Sequence, residues 1–184
     1  MFKRFLCAAF VGSLVMGASG CSVTGAAWQA ARIGKNVSKK DSYLSLSLDG
    51  LEAKQNKLKK GFAGYAKHKI KGTVSTAPTF KFGFEDPTKF GRITGTNMQI
   101  HQAFEADYSH KAEFVITPNG SGAESLMKPD RAYNLGSIGS EMMVLDFDGN
   151  NVGGVTLKPG MDYMLVFTVS GDRSETMQVH FSTK

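Results

Sequence analysis

The chain has 184 residues, 41% of them hydrophobic, and a formal net charge of +6. This length suits a single domain, and the apolar content is enough for that domain to build its own core. The chain has only two cysteines, Cys7 and Cys21, which excludes a small scaffold held together by several disulfides.

The first 20 residues have the pattern of a secretory signal peptide. Lys3 and Arg4 form a short positive start, and an uncharged apolar run follows over residues 5–17. This run is shorter than the ~20 residues that a membrane-spanning helix requires. The pattern therefore predicts export of the chain rather than a permanent transmembrane anchor.

The end of this segment, Ala18-Ser19-Gly20-Cys21, resembles a bacterial lipobox, with Ala18 at the position where leucine is most common. The resemblance implies cleavage before Cys21, acylation of that cysteine, as with palmitate, and attachment to a membrane outside the cytoplasm. Ser22 stands where aspartate often implies retention in the inner membrane, so the resemblance implies the outer membrane. The alternative is an ordinary signal peptide whose removal leaves Cys21 unmodified.

Residues 21–42 are rich in small and polar side chains, which predicts a flexible tether between the anchor and a domain over residues 43–184. Such a tether has a random-coil reach on the order of 25 Å. The single tryptophan, Trp28, lies within it. This side chain either sits at the membrane interface, where indole rings are favoured, or packs on the domain.

Apolar and polar residues alternate over residues 43–48, which predicts a strand with Leu44, Leu46 and Leu48 on one face. The dipeptide Asp49-Gly50 then signals a turn. The next ten residues, 51–60, favour helices by composition but have a thin apolar face. They are predicted to form a short exposed helix or a loop.

Beyond Gly61 the strand pattern dominates, with glycine-rich turns between short apolar runs. The clearest alternation places Phe80, Phe82 and Phe84 on one face. Residues 123–140 are poorly patterned and are predicted to be a long connection. Hairpin turns are predicted at residues 148–151 and 170–173. Strands are predicted at residues 70–76, 79–84, 93–100, 103–108, 112–117, 142–147, 152–157, 163–169 and 177–182.

This organisation predicts an all-β fold, either a sandwich or a barrel. The segment Leu157-Lys158-Pro159-Gly160-Met161-Asp162-Tyr163 resembles the start of a late strand in fibronectin type III and other immunoglobulin-like domains. The resemblance implies an immunoglobulin-like β-sandwich in which Tyr163 is a corner residue whose hydroxyl bonds to the backbone a few positions upstream. The alternatives are another β-sandwich and a small β-barrel.

Positive charge is concentrated near the predicted anchor. Residues 32–71 contain eleven basic and three acidic residues, whereas residues 72–184 contain nine basic and thirteen acidic ones. The interleaved Phe62 and Tyr65 could add stacking contacts. This segment predicts a surface for anionic lipid, an anionic glycan or an acidic envelope protein, and the alternative is a solvated basic face. The residues of the predicted surface are Lys54, Lys57, Lys59, Lys60, Lys67, Lys69 and Lys71.

Three weaker patterns concern metal ions. His101, Asp107 and His110 form the best local histidine cluster. Several methionines lie late in the chain with His180, a combination that can bind copper but more often fills cores. Residues 146–151 resemble the first half of a calcium loop without its downstream glutamate, and a turn explains them equally well. No metal or other cofactor is predicted from these patterns.

The chain has no nucleophile elbow, Walker motif or Rossmann glycine pattern, so an enzyme is not expected. The favoured hypothesis is a non-enzymatic lipoprotein of the bacterial cell envelope that acts as a binding or adaptor module, with strand-edge pairing as one docking mode. Nucleic acid is not an expected partner outside the cytoplasm. The alternative is a periplasmic carrier in which Phe80, Phe82 and Phe84 line a cavity for a lipid or another apolar ligand.

Overall fold

The computed structural model describes residues 43–60, 66–102, 112–120 and 126–184. Within these ranges, ten strands and one short helix, α1, confirm the all-β prediction. The helix spans Pro87–Phe90. The strands are β1 (Leu44–Leu48), β2 (Leu51–Lys60), β3 (Ala66–Val74), β4 (Thr79–Phe84), β5 (Ile93–Gln102), β6 (Phe114–Pro118), β7 (Ala132–Asn134), β8 (Met142–Asp146), β9 (Asp162–Gly171) and β10 (Glu175–Thr183).

The first hairpin joins β1 to β2 through the predicted two-residue turn. Asp49 has φ 49° and Gly50 has φ 76°, and Leu48 pairs directly with Leu51. Positive φ at both central residues is the geometry that matches the twist of a two-residue hairpin, and Asp-Gly is a preferred sequence for it. The Asp49 carboxylate also accepts hydrogen bonds of 2.7 Å from the N–H groups of Ser75 and Thr79, so this turn fixes the β3–β4 connection.

The prediction of a helix or loop over residues 51–60 is wrong. These residues form β2, with Leu51 and Ala53 packed against the core while Glu52 and Lys54 are exposed. That alternation follows the period of two of a strand. Helix propensity is a weak preference that is overridden here, because β2 pairs with both β1 and β3.

The ten strands of the described ranges belong to one hydrogen-bonded sheet in the order β7-β4-β1-β2-β3-β10-β9-β5-β6-β8. Every neighbouring pair is antiparallel except β3 and β10, which run parallel. The sheet curls into the form of half a barrel. The predicted hairpin over residues 170–173 is present, because β9 and β10 are antiparallel neighbours with Val169 opposite Glu175.

The curl is required by the aromatic core. The ring of Phe167 on β9 lies 4.9 Å from Phe80 and 4.8 Å from Phe82, both on β4. These strands are five steps apart in the sheet order, which would be about 24 Å in a flat sheet. The sheet must therefore fold over so that its β4 side packs on its β9 side, with the core between them.

Two predictions between β6 and β9 need correction. The long connection over residues 123–140 contains the short strand β7, which pairs with β4. Residues 152–157 are not a strand. Three of their backbone N–H groups donate hydrogen bonds to carbonyls in three separate segments of the chain. The pairs are Val152 with Val144, Val155 with Leu135 and Leu157 with Thr76.

Two glycines explain why residues 152–157 do not form a strand. Gly153 has φ 70°, and a Cβ on Gly154 would lie 2.2 Å from the carbonyl oxygen of Gly136. A side chain cannot be accommodated at that distance, so the backbone makes a close approach that a regular strand would not allow. The segment runs from the outer edge of β8 to the residues that follow β7.

Candidate functional site

The exposed lysines of β2 and β3 form the most distinctive charged surface in the described residues, and we call Lys54, Lys69 and Lys71 the basic face. Residues alternate along both strands, so that Ala53 and Ile70 point to the core while the lysines point outward. The basic face therefore lies on the convex side of the curled sheet.

Register brings two of these lysines together. Lys54 on β2 is directly opposite Lys69 on β3. Cβ atoms of such antiparallel pairs lie about 4.5–5.5 Å apart, and like charges at this separation destabilise a sheet. Lys71 lies two residues beyond Lys69, beside Gly72, whose φ of 109° marks the irregular pairing between β3 and β10. The fold therefore places positive charges close together, although this proximity does not stabilise the folded state.

The other predicted site residues fall largely outside the description. Cys21, Trp28, Phe62, Tyr65, Asp107 and His110 lie outside the described residues. Lys57, Lys59 and Lys60 lie on β2 and Lys67 lies on β3, where it pairs with Gln178 of β10, but their side chains are not described. The basic face is therefore defined by Lys54, Lys69 and Lys71. The remaining lysines lie further along the same two strands.

The hydroxyl oxygen of Tyr163 accepts a hydrogen bond of 2.9 Å from the N–H of Lys158, five residues upstream. This is the contact that the corner resemblance predicts. Burial raises the pKa of Tyr163, the hydrogen bond from Lys158 acts in the opposite direction, and the carboxylate of Glu113 raises it further.

A second tyrosine corner, which the sequence predictions do not include, lies at Tyr133. The hydroxyl of Tyr133 accepts a hydrogen bond of 2.6 Å from the N–H of Lys128, again five residues upstream. Asp130 has φ 63° and Gly160 has φ 69°, so both turns place positive φ after a Lys-Pro pair. The signal was present as a short repeat, because Met127-Lys128-Pro129-Asp130-Arg131-Ala132-Tyr133 matches Leu157-Lys158-Pro159-Gly160-Met161-Asp162-Tyr163.

The calcium-like segment is organised as a turn. Oδ1 of Asp146 accepts hydrogen bonds from the N–H groups of Asp148 and Asn150, at 3.0 and 2.8 Å. The backbone N–H of Asn150, followed by its side-chain amide, holds the pKa of Asp146 below its ordinary range. In the described ranges no group of three or more His, Cys, Asp or Glu side chains is placed to hold a metal ion.

The phenylalanine face proposed as a cavity wall is packed. Phe80 and Phe82 have exposures of 0% and 1% and contact the ring of Phe167. Phe84 is half-buried and stacks on Phe90 with ring centroids 4.4 Å apart. Side chains of the chain itself therefore occupy the space next to this face.

Within the described part of the chain, no helix has the length and apolar character needed to cross a membrane. Neither a scan against protein-family models nor a search of the curated proteins finds a match to this chain.

Proposed function

We propose that this chain is a non-enzymatic lipoprotein of the bacterial cell envelope that presents its basic face to an acidic partner protein. It is anchored in the outer membrane through an acylated Cys21 and a tether over residues 21–42. The observation that carries the proposal is the direct pairing of Lys54 with Lys69, since an exposed like-charge pair is unfavourable for folding and favourable for binding an anion.

Docking through this face is better supported than docking through the edge of β8. The outer edge of β8 is already engaged, because the N–H of Val152 bonds to the carbonyl of Val144 and Asn151 bridges to Leu145. A partner strand would have to displace these bonds. The basic face, in contrast, is open on β2 and β3 and needs no rearrangement of the backbone.

The carrier alternative receives no support from the aromatic face. Phe80 and Phe82 pack on Phe167 at distances typical of favourable ring contacts. A ligand placed there would have to separate β4 from β9. The immunoglobulin-like sandwich remains part of the proposal: the Tyr163 corner and the packing of β4 on β9 support it.

Reversing charge on the basic face is expected to abolish partner binding. In-cell crosslinking followed by purification and mass spectrometry would compare the wild type with the double variant Lys54→Glu, Lys69→Glu. A matched control, Lys128→Glu with Lys158→Glu, changes the net charge equally at exposed positions on another part of the surface. We expect the partner to be recovered with the wild type and the control, and to be lost with the basic-face variant.

Purified partner would then be titrated against each variant at increasing salt, since an electrostatic interface weakens as salt increases. We expect at least a tenfold loss of affinity for the basic-face variant alone. Equal binding by both variants would contradict the proposal. Sedimentation with phosphatidylglycerol vesicles, without any crosslinked protein, would instead assign the face to a membrane surface.

Changing Cys21 to serine is expected to release the protein from the membrane fraction. The acyl chains would provide the attachment, because each buried methylene contributes about 0.8 kcal/mol and more than one chain makes anchoring stable. Metabolic labelling with a palmitate analogue, followed by fractionation of the envelope, measures both modification and location. A Cys21→Ser variant that remains in the outer membrane fraction would show that another feature holds the protein there.

A further inference from the structure

The convex face of the central strands carries an unusual set of side chains. Along β9, Leu165 and Phe167 point into the core with 0% exposure, so Met164 and Val166 lie on the opposite face. Neighbouring strands contribute polar residues to that face, including His180 on β10 and His101 on β5. A methionine here lies outside the core that usually explains this residue type.

Register places Met164 between the two histidines. Met164 is the pairing partner of His180 on one side and of His101 on the other. Directly opposite residues of antiparallel strands share a face, with Cβ atoms about 4.5–5.5 Å apart. A thioether therefore lies between two imidazoles in one row across β10, β9 and β5, which we call the His–Met row.

The row is shielded from water. Met164 is 8% exposed, and both histidines are half-buried. The adjacent polar residues Gln99 and Gln178 are only 6% and 3% exposed. Oε1 of Gln99 lies 3.3 Å from Nε2 of His101, a contact of the kind that fixes the orientation of an imidazole that binds metal.

We propose that His101, Met164 and His180 form a binding site for a soft monovalent metal ion, with Cu(I) as the natural class of ligand. Thioether sulfur selects soft ions, and imidazole nitrogen is a common ligand for copper. The methionine–histidine pattern in the sequence could not locate such a site, because Met142 and Met177 belong to the core while only Met164 pairs with His180. His180 also pairs with Lys69, so the His–Met row borders the basic face, but the inference does not rest on the proposed adaptor function.

The test is a titration of the purified protein with Cu(I) under anaerobic conditions, in competition with bicinchoninate. We expect one Cu(I) per chain and at least a tenfold loss of affinity in Met164→Leu, His101→Asn and His180→Asn. Met164→Leu preserves side-chain volume, so its fold should be retained. Met143→Leu, a half-buried methionine on β8, is the matched control and should bind as the wild type does.

Two independent readouts make the test decisive. Ag(I), a redox-inert probe, should raise the melting temperature of the wild type but not of Met164→Leu, since an ion that binds only the folded state stabilises it. It should also shift the ¹³C-labelled methyl resonance of Met164. Failure of the wild type to bind Cu(I), or unchanged affinity in Met164→Leu, would overturn the proposal. Binding that is lost only in Met143→Leu would also overturn it.

Discussion

Replacing Phe167 with alanine is expected to destabilise the domain by about 3–5 kcal/mol, the usual range for removing a buried aromatic ring. Phe167 is fully buried and contacts both Phe80 and Phe82. Its loss would leave a cavity between β4 and β9 and remove the contact that holds the curled sheet closed. Against a typical total stability of about 5–15 kcal/mol, this change would leave a substantial unfolded population.

Urea denaturation followed by circular dichroism measures this effect. The matched control is Phe147→Ala, because Phe147 is 54% exposed. Exposed substitutions of this kind usually change stability by no more than about 0.5 kcal/mol. Comparable losses for the two variants would show that the packing of β4 on β9 contributes little to the fold.

Replacing Tyr163 with phenylalanine is expected to lower the free energy of unfolding by about 0.5–1.5 kcal/mol, the usual net contribution of one hydrogen bond. The change keeps the buried ring, which stacks on Phe181 at 5.7 Å, and removes only the acceptor for the N–H of Lys158. The bond is part-buried and Lys158 is exposed, so the loss should be that of an ordinary hydrogen bond rather than that of a buried donor left unsatisfied. Tyr133→Phe should also destabilise the domain, because the hydroxyl of Tyr133 accepts the equivalent hydrogen bond from the N–H of Lys128.

The Tyr163 variant should also change the alkaline stability profile. Burial raises the pKa of Tyr163 above its ordinary value of 10.0, so the folded state retains the proton that the unfolded state releases. The stability contributed by this group is therefore present below pH 10.0 and is lost as pH rises through the folded-state pKa.

Tyr163→Phe lacks this ionisation, and its stability should fall less steeply than that of the wild type above pH 10.0. Urea denaturation midpoints measured at several alkaline pH values would show the difference. Parallel profiles for the two proteins would mean that Tyr163 is not the group responsible.

Local signals in the sequence predicted local structure well. The alternation in β1 and β4 and the Asp49-Gly50 turn were sufficient, because each depends on residues next to one another in the chain. Segments whose structure depends on long-range pairing could not be predicted from such local signals. Lysine and glutamine in β2 favour a helix, and only the pairing of β2 with β1 and β3 makes that segment a strand.

The candidate sites were likewise predictable only where they depend on neighbouring residues in the chain. A run of lysines was visible in the sequence, but the pairing of Lys54 with Lys69 depends on the register of two strands. The His–Met row joins residues from β5, β9 and β10, and no spacing rule connects His101 with Met164 and His180. The second tyrosine corner is different, because a search for repeated Lys-Pro turns before tyrosine would have found it.

The position of β10 in the sheet has a consequence for how the chain folds. This strand is the final one in chain order, and it lies between β3 and β9 in the middle of the sheet. Until residues 175–183 are in place, no strand joins β3 to β9. The strands β7, β4, β1, β2 and β3 form one side of the sheet, and β9, β5, β6 and β8 form the other. Parallel pairing between segments so distant in sequence closes a large loop and is intrinsically slow. The facing edges of β3 and β9 therefore stay unpaired until the last strand of the chain adds between them.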